Sequence, residues 1–242
     1  MVWVAQMLEL HQFRHSAFCE KVRLILAAKG LAYSVVEVTP GLGQLQLLRL
    51  SGQRQVPVLV DGAEVIADSS AIALYLEAQG AEPALLPADP AERARVLLLE
   101  DWADTALASG VRLALLQAAV EDADLRAALL PVATPAPLRN LVGAVPGSVL
   151  AGLGQAVDQG GLEQLRQNLS LLTALVAAGP YLVGASLTLA DLAVAGQLSL
   201  LKFPQAAGAP LAGWGVPGLA DDPQLEPLFQ WRDRIGAEVG RP

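Results

Sequence analysis

The chain has 242 residues, 53% of them hydrophobic and 5% aromatic, with one cysteine and a formal net charge of −8. That charge excludes a nucleic-acid partner, which needs a basic face. The lone cysteine excludes an intrachain disulfide and, with no leader-like pattern at the N-terminus, sets the expectation of a reducing, cytoplasmic location. The first eighty residues carry 6 Lys and Arg against 7 Asp and Glu, so most of the negative excess lies beyond them. An anionic small ligand therefore meets less repulsion in the first third.

Taken in chain order, residues 8–13 are short and β-compatible. Residues 16–29 have a helical period, with Phe18, Val22, Ile25 and Leu26 on one face and Gly30 as the stop. A β-branched run covers 33–38, and a weaker helical stretch 44–50. Residues 56–60 read as a strand opened by Pro57, which cannot donate to a ladder. The turn Asp61-Gly62 leads into 64–66 as a hairpin, and 69–78 is helical again. The predicted order is β-α-β-α-β-β-α.

A Pro- and Ala-rich linker spans 80–90. Beyond it only helices are predicted, over 91–120, 162–178, 189–201 and 225–238. Residues 131–161, rich in Pro and Gly, are the least readable. Between 170 and 201 the only charged residue is Asp191, long enough an interval for a membrane span. Gly179-Pro180 breaks it, however, and Thr188-Leu189-Ala190-Asp191 restarts it as a capping box flanked by Leu187 and Leu192. The expectation is a buried core helix and no membrane span. Gly41-Leu42-Gly43 lacks the third glycine and the preceding strand of a dinucleotide fingerprint.

Several segments together carry a family likeness: SAFCEKVRLILAAKG after the first strand, QVPVLV, ADSSAIALYLE, ALLPADPAERARV and GPYLVGASLTLADLAV. In this order and spacing the chain resembles the cytosolic glutathione transferases. The resemblance implies an α/β thioredoxin-like N-terminal domain (residues 1–82), a linker (83–92) and an all-α C-terminal domain (93–242). It further implies a cis Val56-Pro57 bond that turns the backbone of Val56 toward the cysteinyl part of glutathione. Ser69, a serine that can cap the third helix at a start that attracts a carboxylate, would hold the α-carboxylate of the γ-glutamyl group, and Asp68 its ammonium. Arg54 and Gln55 lie where relatives bind the glycine carboxylate. No basic residue stands in Gly41-Leu42-Gly43-Gln44, which leaves Gln44 as a neutral substitute. The electrophile pocket would fall on the long helix after the linker, at Trp102 and Ala106, and would take a hydrophobic electrophile. Glutathione enters as co-substrate, no metal is implied, and the assembly implied is a two-fold homodimer. The zeta-type signature Ser-Ser-Cys is absent, the residues being Ser16-Ala17-Phe18. The six residues MVWVAQ precede the usual start of the first strand, so Met1 and Met7 both stand as candidate initiators.

The stretch RHSAFCEKVR, residues 14–23, holds the sulfur question. In one reading Ser16 donates a hydrogen bond to the glutathione thiolate, aided by the positive end of the first helix. In a second, Cys19 is the nucleophile of a thiol-transferase, although a lone cysteine at that helical position is more often a small buried hydrophobe. In a third, Ser16 only caps the helix and the protein binds glutathione or another ligand without turnover. His15, next to Ser16 on an extended segment, is expected to point the other way. Arg14 either adds positive field near the thiolate or pairs with an acid of the helical half. A serine hydrolase would need a G-x-S-x-G elbow, which the chain lacks.

Overall fold

A computed structural model describes residues 7–39, 42–131, 134–145 and 159–241. Met1, Gly41, and residues 132–133 and 146–158 of the stretch 131–161 lie outside the described residues. The first part is β1 (Leu8–Gln12), α1 (Ala17–Ala28), β2 (Tyr33–Glu37), α2 (Leu42–Ser51), β3 (Val58–Asp61), β4 (Glu64–Ala67) and α3 (Ser69–Ala78). The sheet order is β2-β1-β3-β4, with β1 parallel to β2 and antiparallel to β3. This is the thioredoxin-like arrangement that the resemblance implied.

Local chemistry explains the boundaries. Ser16 caps α1 and Gly30, at φ 61°, ends it, a left-handed position that suits glycine. Gly62, at φ 62°, turns the β3–β4 hairpin, in which Asp61 pairs with Glu64. Val22, Ile25 and Leu26 are buried as their period implies. Phe18 departs from that stripe: it is only half-buried and lines the interdomain cleft described below.

The helical part begins with α4 (Pro90–Trp102), which runs through a π-helical turn (Ala103–Leu107) into α5 (Ala108–Glu121). Then follow α6 (Ala123–Ala128), α7 (Ala136–Ala144), α8 (Gln159–Ala178), α9 (Leu189–Leu198) and α10 (Glu226–Glu238). Every residue of α9 is buried. The capping box is present: Asp191 Oδ2 accepts from the Thr188 backbone N–H at 2.8 Å, and Asp191 Oδ1 accepts from Leu182 N–H at 2.8 Å. Burial drives the Asp191 carboxyl above its ordinary range despite these donors. No helix among the described residues is long and apolar enough to cross a membrane. Beyond the sheet, the one β pairing among the described residues is a single bridge, Lys202 to Gly215.

The two parts share one hydrophobic cluster, in which Leu10, Ile25 and Ile72 of the sheet part join Leu107, Leu192 and Phe229 of the helical part. α1 packs directly on α9. A Cβ placed on Gly196 would lie 2.9 Å from the Ala17 carbonyl oxygen and 3.1 Å from Lys21 N, so glycine alone permits this approach. Lys29 secures the chain leaving α3: its ammonium lies 2.6 Å from Glu77 and donates to the carbonyls of Ala81 (2.7 Å) and Pro83 (3.0 Å).

Candidate active site

The start of α1 is built by Ser16. Its backbone is extended (φ −99°, ψ 124°), and its Oγ accepts from Cys19 N–H at 3.3 Å. A hydroxyl that accepts still has its own hydrogen to give. That hydrogen can turn toward the Cys19 sulfur behind it or toward the cleft. Cys19 is fully buried. Burial pushes its thiol up, outweighing the hydrogen bond with Ser16, so the thiolate is disfavoured. The environment is that of a core thiol and not of an attacking one.

Ser16 opens onto a cleft of about 600 Å³. The segment Arg54–Pro57 lines it, and the Val56-Pro57 bond is cis. Asp68 and Ser69 lie beside that segment, where Asp68 N–H donates to the Pro57 carbonyl at 3.4 Å. Gln44 also reaches the cleft. Thus Ser16, Arg54, Gln55, Val56, Pro57, Asp68 and Ser69, scattered over 54 positions of sequence, converge on one cavity.

The cap of α3 differs from the sequence expectation. Asp68, not Ser69, is the capping residue: its Oδ1 accepts from Ser70 N–H (2.9 Å) and Ala71 N–H (3.1 Å). Asp68 holds φ 84°, the one non-glycine residue with positive φ among those described. With ψ 137° it lies outside the left-handed helical region that aspartate tolerates, and such outliers concentrate at functional sites. The Ser69 hydroxyl, expected to meet a carboxylate, is instead turned inward. It accepts from Lys21 Nζ at 3.4 Å and donates to Asp104 Oδ2 at 3.3 Å.

That inward turn leads to a buried ionic cluster joining the two halves. Lys21 is wholly buried and contacts Glu100, Asp104 Oδ2 (2.6 Å) and Ser70 Oγ (3.2 Å). Ser70 Oγ also donates to Glu100. Asp104 Oδ1 is buried without a hydrogen-bond partner. Burial, partly offset by Lys21, holds the Asp104 carboxyl above its usual range.

The opposite wall of the cleft corrects a further expectation. Trp102 and Ala106 do not line it: Trp102 packs half-buried on the core and Ala106 faces solvent. The wall comes from farther along, Arg112, Leu115 and Leu116 of α5, with Gln197 of α9 and Leu200 just after it. The helix bearing these positions is interrupted by the π turn at 103–107, which breaks the 3.6-residue period.

His15 also lines the cleft beside Ser16, against the expectation that it points away. Its ring stands edge-on to Phe13 and Phe203, with centroids 5.7 and 6.2 Å apart. Burial, together with Arg14 and Arg23, lowers its pKa to about 4, so it is neutral at physiological pH. Among the described residues Arg14 pairs with no acid of the helical half; its Nη2 donates to the Ala207 carbonyl at 2.7 Å. The sequence signal for His15 was its adjacency to Ser16; Arg112 and Gln197 had none.

A thioredoxin-like sheet with a cis-proline edge, closed by an all-helical half across an open cleft, is the two-part fold of glutathione-handling transferases. Comparison bears this out: the family model described as the glutathione S-transferase N-terminal domain matches residues 10–84, and that of the C-terminal domain matches 117–234. The chain belongs to the glutathione S-transferase family. Glutathione S-transferase Z1 of Arabidopsis thaliana is 39% identical over 90 residues, 36% of this chain and 41% of that protein. The chain thus spans about two fifths of the length of that relative. FtsZ-localized protein A of Caulobacter vibrioides is 30% identical over 198 residues, 80% of this chain and 77% of that protein. A glutathione S-transferase structure from Rhodospirillum rubrum superposes with a TM-score of 0.64 at 26% identity, covering 96% of this chain and 88% of that one.

Proposed function

We propose that the protein is a cytoplasmic glutathione transferase in which Ser16 stabilises the glutathione thiolate for attack on an electrophile or a peroxide. The observation that carries this reading is the Ser16 hydroxyl, at the N-terminal end of α1, lining the same cleft as Arg54–Pro57 and Asp68–Ser69. In this reading Val56 pairs its backbone with the cysteinyl unit. Arg54 and Gln55 receive the glycine carboxylate. The start of α3 receives the γ-glutamyl carboxylate through the Ser69 backbone N–H, its hydroxyl being engaged with Lys21 and Asp104, and Asp68 meets the ammonium. Leu115, Leu116 and Leu200 supply an apolar wall for the second substrate. The assembly proposed is a homodimer.

The energetics suffice without a general base. An ordinary thiol ionises near pH ~8.5, and lowering that by ~2 takes about 2.7 kcal/mol. A hydrogen bond to a charged group supplies roughly 1.5–3 kcal/mol and a helix N-terminus roughly 0.3–1. Ser16→Ala tests the mechanism: kcat/KM for conjugation should fall about 10- to 100-fold, with glutathione still bound. An unchanged rate refutes the role of Ser16.

A second reading is a glutathione- or ligand-binding protein of the same fold without turnover. It is favoured by the relative matched over 198 residues, whose name records a location and not a reaction. Binding of glutathione by calorimetry, with no turnover across chemically varied electrophiles and peroxides, would decide for it. Burial of Cys19 disfavours a thiol-transferase.

A further inference from the structure

The cleft is a local positive site on an acidic protein. Its charged lining residues are Arg54, Arg112 and Asp68, while the whole chain carries −8. His15 adds no charge there at neutral pH. Neither Arg54 nor Arg112 forms an ion pair or hydrogen bond within the described residues. Glutathione brings two carboxylates and one ammonium. In the proposed reading these are matched by Arg54, the start of α3 and Asp68. Arg112 is then the surplus cation, and it stands on the wall assigned to the second substrate, next to Leu115 and Leu116.

A second observation concerns the same wall. Gln197, on α9, is 2% exposed, yet its side-chain amide has no hydrogen-bond partner among the described residues and it lines the cleft. The amide is not among the enclosed side-chain groups left without a partner, so it is reached from the cleft, where a polar ligand group can answer it. An apolar acceptor alone would leave both Arg112 and Gln197 unanswered.

We infer that the second substrate is an apolar electrophile bearing a carboxylate or comparable anionic group, with Arg112 as its counter-ion and Gln197 as a hydrogen-bond donor deeper in the cleft. Arg112 is thus a specificity-determining residue. The inference rests on the transferase reading for the position of glutathione. Guanidinium pairs with carboxylate through two parallel N–H donors, and a cleft with apolar walls screens such a pair less than open water does.

The test uses two probes that differ in one charge, the glutathione conjugates of 4-chloro-3-nitrobenzoate and of its methyl ester. In making them the glutathione sulfur bonds to the ring carbon, chloride leaves with the bonding pair, and the thiol proton passes to water. Calorimetric titration of the full chain is made with glutathione, the carboxylate conjugate and the ester conjugate. The wild type should bind the carboxylate conjugate more tightly than the ester. Arg112→Gln should weaken the carboxylate conjugate about tenfold more than the ester. Arg112→Lys should restore part of the difference. If glutathione binds but the two conjugates are affected equally, or the wild type shows no preference, the inference fails and the transferase reading stands. If neither glutathione nor either conjugate binds, both fail together. An unaltered unfolding midpoint of Arg112→Gln checks that a loss is not one of folding.

Discussion

Replacing Lys21 with methionine isolates the ionic cluster that joins the two halves. Methionine keeps most of the volume and removes the charge. Lys21 is wholly buried, and its partners Glu100 and Asp104 lie on the other half of the molecule. Removing one partner of a buried ion pair costs about 3–5 kcal/mol, because a desolvated charge is left behind. Against a total stability of about 5–15 kcal/mol that is a large fraction. The pH dependence carries the mechanism. Burial already holds Asp104 above the usual carboxylate range, and loss of the ammonium raises it further. A folded carboxyl with a raised pKa binds its proton more tightly than the unfolded chain does. Its contribution is therefore present in acid and lost as pH rises through the folded pKa. The deficit of Lys21→Met should be greatest at pH 7 and smaller at pH 5, by about 1.4 kcal/mol for each pH unit of that window over which only the variant's folded carboxyl stays protonated. Urea unfolding at the two pH values measures it, and adding Asp104→Asn should recover part of the loss at pH 7. A deficit below about 1 kcal/mol at pH 7, or one that grows in acid, refutes the reasoning.

Two further outcomes follow from the packing and the charges. Gly196→Ala gains about 1 kcal/mol of helix propensity but overpacks against the Ala17 carbonyl, at about 1–3 kcal/mol; because the obstacle is backbone, the net effect should be a loss, with lower kcat/KM as α1 and Ser16 shift, and equal or higher stability would contradict it. His15 has a folded pKa of about 4 against 6.5. The folded state holds fewer protons between those values, so stability is lost as pH falls from 6.5 toward 4. The drop corresponds to about 3 kcal/mol, reduced to about 1–2 for the solvent-facing part of the ring. His15→Phe should flatten that part of the stability–pH curve, and parallel curves for the two proteins would speak against it.

How much was legible in the sequence follows from how local each signal is. Ser16, Val56-Pro57, Gly30 and the Thr188–Asp191 box are set by neighbours within a few residues, and each stands where its motif implies. Lys21 had no such signal. On a helix with polar residues around it, it reads as a surface lysine, but its partners lie 79 and 83 residues away in sequence. The same partners draw the Ser69 hydroxyl inward and leave the α3 cap to Asp68. The second wall of the cleft was misplaced for a related reason. Which face of α4–α5 meets the sheet part depends on the π turn and on packing with α9, neither of which a regular helical period contains.

The common core of the two parts bears on what counts as a unit of this protein. The family boundary near residue 84 divides the chain by descent. Packing does not respect it, because α1 is covered by α9 at a glycine and Lys21 is neutralised by carboxylates from across that line. A fragment cut there would carry an uncovered apolar helix face and an ammonium stripped of its counter-ions. Exchanging one half for that of a relative would therefore succeed only if the glycine and the two carboxylates travelled together.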